Sequence, residues 1–151
     1  MKLIKYTLLG LTLLGLLTFT SCGKDDTPPT PQVDPEQEIV DGLNKSWTIT
    51  SVTLDNVDVT GDWNGFTLTF NGTKEYTATA LSAESILVWP ASGSYTFPNA
   101  TNANLILRND DIQITISNMT DTTVTLSFTI LGRTGGRKEG LIGGWVFEMR
   151  S

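Results

Sequence analysis

From Trp47 to the C-terminus the chain alternates apolar residues with threonine and serine in short blocks, and it never sustains a helical period. Such a period of two predicts half-buried strands and an all-β domain. The clearest stretch runs from Asp111 to Leu131. Ile112, Ile114 and Ile116 share one face, with Gln113, Thr115 and Ser117 on the other, and Val124, Leu126, Phe128 and Ile130 repeat the pattern beyond an Asn118–Asp121 turn. Phe66, Leu68 and Phe70 predict an earlier strand paired with Tyr76 and Ala78 around Asn71-Gly72. A loop of Asn71, Gly72 and Thr73 would match the apolar faces by pairing Leu68 with Tyr76. Further strands are expected at Trp47–Leu54, Ile86–Trp89, Ser94–Phe97, Asn104–Arg108 and Gly144–Met149. Eight to nine strands with short connections predict an antiparallel up-and-down β-barrel, because closing a meander removes its exposed edges. Trp47, Phe66, Phe70, Tyr76, Tyr95, Phe97, Phe128, Trp145 and Phe147 all fall at inward positions. So many rings in so short a barrel predict a filled centre with, at most, a small pocket at one open end.

The first residues have a different pattern. Lys2 and Lys5 precede an apolar, leucine-rich block from Thr7 to Phe19, the order of a secretory signal. The block is 13 residues long, short of the roughly 20 needed to span a bilayer. Phe19-Thr20-Ser21-Cys22 resembles the lipobox of bacterial lipoproteins, with Phe19 matching the looser Bacteroidetes form. That resemblance implies cleavage between Ser21 and Cys22 and lipidation of Cys22, which then anchors the chain in a membrane. The Lys24-Asp25-Asp26 run resembles the export signal that places such lipoproteins on the cell surface. Exposure at the outer membrane is therefore expected, with a periplasm-facing anchor as the alternative.

Pro28, Pro29, Pro31 and Pro35 make the following segment a disordered, semi-rigid spacer. A short helical turn is expected at Pro35–Leu43, ended by Gly42. The chain thus divides into a signal peptide (1–21), a lipidated, acidic linker (22–40) and a β-barrel domain (41–151).

Charge and composition narrow the function. Without the leader, 8 basic residues face 16 acidic ones, a net charge near -8. An acidic surface repels phosphate backbones, so no nucleic-acid partner is expected. Arg133, Arg137 and Lys138 form the one local basic group. Histidine is absent and Cys22 is the single cysteine, which removes the usual general base, the usual triad partner and every paired-cysteine metal motif. Among the acids, Asp110-Asp111 reads as a turn, Glu75 as a solvent-facing residue and Glu139 as part of a Gly-rich loop, so no glycosidase pair is expected. Asp58, Asp62 and Asn64 near Gly65 miss the known calcium-loop spacing and read as turn formers. No enzyme activity, metal or cofactor is expected.

Gly42-Leu43-Asn44-Lys45-Ser46-Trp47, Trp89-Pro90-Ala91-Ser92-Gly93, Gly135-Gly136-Arg137 and Gly143-Gly144-Trp145-Val146-Phe147 together resemble the lipocalin-like lipoproteins of Bacteroidetes. The resemblance implies a calycin-type barrel over Asp41–Ser151 and transfers fold better than function. It also implies a barrel-closing pair in which an arginine covers the first-strand tryptophan. Trp47 and Arg137 are the candidates, with Arg133 or Arg150 as alternative arginines. For function, the first expectation is capture of a small apolar or glycan-like molecule at the barrel mouth, stacked on Trp63 and Trp89. The alternative is a non-catalytic envelope module with a filled barrel. No feature sets an oligomeric state.

Overall fold

The computed structural model describes residues 34–79, 82–99, 102–132 and 141–151. Ser21, Cys22, Lys24, Asp25, Asp26, Arg133, Arg137, Lys138 and Glu139 lie outside the described residues. The chain divides into two units, Met1–Gln32 and Val33–Ser151. The second is described below.

Its first element is helix α1, Pro35–Leu43, followed by strand β1, Ser46–Leu54, and the two-residue strand β2, Val57–Asp58. A 3-10 turn at Thr60–Trp63 leads to β3, Thr67–Phe70, and β4, Glu75–Thr79. A one-turn helix α2, Ser85–Val88, precedes β5, Ser92–Thr96. Then come β6, Leu105–Arg108, β7, Gln113–Ser117, β8, Thr123–Ile130, and β9, Gly143–Arg150. From β3 to β9 each strand pairs antiparallel with the next, and β1 pairs with both β3 and β9. The last pairing, from Thr48 opposite Arg150 to Leu54 opposite Trp145, closes an eight-stranded barrel. Strand β2 is an extra strand hairpinned onto β1.

Period-two alternation fixes which face is inside. In β7 and β8 the buried residues are Ile114, Ile116, Val124, Leu126, Phe128 and Ile130, with threonine, serine and glutamine between them. In β1 the register shifts between Ile49 and Ser51. This bulge at Thr50 moves the buried set from Trp47 to Val52 without turning the strand inside out.

Two features differ from the sequence-based expectation. Ile86–Trp89 is not a strand, because Ser85–Val88 forms α2. A four-residue apolar run cannot distinguish the two by periodicity. The local cause is reciprocal capping, in which the Ser82 hydroxyl accepts from the Ser85 amide (3.0 Å) and the Ser85 hydroxyl accepts from the Ser82 amide (2.6 Å). The β3–β4 register is two residues away from the one expected, with Phe70 opposite Tyr76 and Leu68 opposite Ala78. The faces still match, since a shift of two preserves them. The longer turn is set by Asn71, whose Oδ1 accepts from the amides of Thr73 and Glu75, both at 3.0 Å, and by the left-handed Lys74 at φ 62°. Helix α1 lies where a helical turn is expected and buries Ile39 and Leu43 in the barrel core.

Candidate functional site: the two ends of the barrel

Helix α1 covers one end. Asp34 caps it by accepting from the Glu36 amide at 3.0 Å, and Pro35 follows at the first helical position. The inner face carries Ile39, Val40 and Leu43, all buried. Trp47 is completely buried beneath, its Nε1 donating to the Leu43 carbonyl at 3.0 Å. The cation over its ring among the described residues is Lys45, 5.4 Å from the centroid. Arg150 is exposed on β9, whereas Gly132 and Leu141, which flank the segment holding Arg133 and Arg137, stand at the opposite end. The chain enters the barrel unit at the α1 end.

The other end is the mouth. Asp55 (φ 50°) and Asn56 (φ 66°) are both left-handed and make the tight turn between β1 and β2. The Asp55 carboxylate accepts from the Gly144 amide at 2.7 Å and locks this turn to β9. Gly143, at φ 144°, lies where a Cβ would come within 2.5 Å of that carboxylate. Between the 3-10 turn, α2 and the start of β9 lies a cleft of about 590 Å³. Leu54, Val59, Trp63, Val88, Leu141 and Trp145 give it apolar walls, and Asp62, Ser82, Glu84 and Ser85 supply polar groups. Trp63 and Trp145 meet edge to face at 5.7 Å, and Trp145 Nε1 donates to the Leu141 carbonyl at 3.1 Å. Val57 (64% exposed), Leu131 (72%), Ile86 (43%) and Ile142 (37%) are the exposed large apolar side chains among the described residues. All four belong to segments that frame the mouth.

Between the ends runs a chain of rings. From Trp63 it passes to Phe147 (4.7 Å), Phe128 (5.6 Å), Trp89 (5.4 Å) and Tyr76 (5.7 Å). It continues through Phe70 (6.2 Å) and Tyr95 (5.8 Å) to Phe97 (6.0 Å). Trp63 therefore lines the cleft, as one of the two stacking candidates. Trp89 does not: it follows α2 into the core, is completely buried, and presents no face to a ligand.

Over Trp89 sits Arg108, a residue that sequence reasoning missed. Its guanidinium lies 5.0 Å from the Trp89 centroid and 5.7 Å from that of Phe128, and is 1% exposed. Nε and Nη2 donate to Asp110 at 2.8 and 2.6 Å, and Nη1 donates to the Val88 carbonyl at 3.1 Å. A buried cation is tolerable only with such partners. The available signal was alternation, which places Arg108 on the same face as Ile106. Through Val88 this arginine ties α2, one wall of the cleft, to the β6–β7 turn.

Nearby polar atoms are less well served. The Tyr76 and Tyr95 hydroxyls and Trp89 Nε1 are buried without a hydrogen-bond partner. Burial pushes the Tyr95 phenol up to about 12. Tyr76 is also raised, by burial, against the opposing pull of Arg108. Among the acids weighed earlier, Glu75 is held below the usual carboxylate range by hydrogen bonds from Asn71 and Thr73, and Asp58 by those from Thr60. Asn64 Nδ2 donates to the Gly61 carbonyl at 2.8 Å, a turn contact. Among the described residues no three side chains gather as a metal site. Comparison with protein-family models, characterised proteins and solved structures finds no match to this chain.

Proposed function

We propose that this protein is a lipocalin-like envelope lipoprotein of the Bacteroidetes type, anchored through Cys22, whose barrel mouth captures a small apolar or glycan-like molecule. The observation that supports a binding role is the cleft of about 590 Å³ with apolar walls of Leu54, Val59, Trp63, Val88, Leu141 and Trp145, at the barrel end where Val57, Leu131 and Ile142 are exposed. An apolar cleft with a few polar groups at its rim is the kind of site that takes a small molecule. In this reading Cys22 is the anchor, and Lys24-Asp25-Asp26 directs the protein to the outer face of the outer membrane. The protein is a binder rather than an enzyme, without a cofactor, and its partners are the membrane and the captured molecule. The continuous ring packing of the interior favours the second reading, an interaction module with no small-molecule site.

Native mass spectrometry of the mature protein, isolated from its own host's membranes, tests the proposal. A recurrent non-covalent adduct of one mass is expected. A bare lipoprotein mass in every preparation would remove the ligand-carrier reading in favour of the module. Acyl labelling should disappear in Cys22→Ala, and labelling that persisted would refute the anchor.

A further inference from the structure

The charged residues lining the cleft are Asp62 and Glu84, both acidic. They differ in their engagement. Glu84 already interacts with another residue, whereas the Asp62 carboxylate makes no hydrogen bond or ion pair among the described residues. Asp62 is placed beside Trp63 by the 3-10 turn, whose closing bond runs from the Asp62 amide to the Val59 carbonyl at 3.0 Å. The serine hydroxyls of the cleft, Ser82 and Ser85, are engaged with each other. One wall thus offers an unpaired carboxylate at the lip of an apolar, indole-lined space.

Resting on the ligand-capture reading, we infer that Asp62 selects the ligand's polar end: the cleft takes an amphiphile with an ammonium or hydroxyl donor, not one with a carboxylate. A donor satisfies Asp62 as its apolar stem displaces water from Leu54, Val59 and Trp63. An anionic head brought to the same place meets like charge and finds no donor on Asp62. Arg133, Arg137 and Lys138 lie outside the described residues, and comparing Asp62 variants of the same chain holds their contribution constant.

The test uses the mature protein at pH 7 with three probes of one chain length, dodecylammonium, dodecanol and dodecanoate, each below its micellar concentration and followed by calorimetry. The ammonium is expected to bind at least about tenfold tighter than the carboxylate, a difference of about 1.4 kcal/mol. Asp62→Asn should collapse that ratio to about threefold or less while leaving dodecanol within about twofold, and Asp62→Glu should restore it. Circular dichroism confirms that each variant is folded. Equal or tighter binding of dodecanoate, or a preference that survives Asp62→Asn, would overturn the role of Asp62 while leaving ligand capture intact. Binding of none of the three would instead count against ligand capture and this inference together.

Discussion

The two ends of this barrel use the same device for different purposes. At each end a buried tryptophan donates its indole N–H to the carbonyl four residues before it, Trp47 to Leu43 and Trp145 to Leu141. At the α1 end the carbonyl belongs to a capped helix that covers the opening with Ile39, Val40 and Leu43. At the mouth it belongs to Leu141, which lines an apolar cleft, and Val57, Leu131 and Ile142 at this end face water. A capped helix thus closes one end, and the proposed recognition surface lies at the other, as expected when loops on a rigid scaffold carry function.

If that contrast is right, substitutions should divide by end. The largest loss should come from Leu43→Ala, which opens a cavity under α1 and should cost about 2–5 kcal/mol in denaturant unfolding. Asp110→Ala should cost about 3 kcal/mol by leaving the Arg108 guanidinium without its carboxylate. The same change should alter the cleft, since Arg108 also holds Val88. Gly143→Ala should cost roughly 1–3 kcal/mol, because its φ of 144° suits glycine and the new Cβ would meet Asp55. Val57→Ser and Leu131→Ser should stay within about 0.5 kcal/mol of the parent. Val57→Ser or Leu131→Ser as costly as Leu43→Ala would break the contrast.

Alkaline pH sharpens it further. Tyr95 is neutral in the fold with its phenol raised to about 12, above the ordinary value of 10.0. Its contribution is complete below the unfolded value and is lost as pH rises through the folded one, so unfolding should grow easier between those two values. Tyr95→Phe should flatten that loss. At neutral pH it should be nearly silent or slightly stabilising, because the hydroxyl it removes has no partner.

How much of this was legible in the sequence varied with how local its cause is. The Ile112–Ile130 hairpin was readable because alternation continues across a short turn, and a closed meander followed from the spacing of such hairpins. Helix α2 was not, because its four residues carry no period and its cause is a serine pair. The β3–β4 register depended on one asparagine side chain. A small pocket at one open end is expected from the sequence, but most of the residues that wall the cleft were beyond reach. It is built from Leu54, Trp63, Val88 and Trp145, which are distant in sequence and meet only when β9 closes on β1. Trp89 reads from the sequence as a stacking surface at the mouth, while α2 turns its ring into the core.

The placement of tryptophans at both ends allows a direct test of where ligand enters. An alkylammonium carrying bromine on its tail quenches an indole only on close contact. Titrated into the mature protein, it should quench fluorescence saturably, keep doing so in Trp47→Phe, and lose the saturable component in the Trp63→Phe/Trp145→Phe double variant. Saturable quenching that survived the double variant and vanished in Trp47→Phe would place binding at the α1 end and contradict the account.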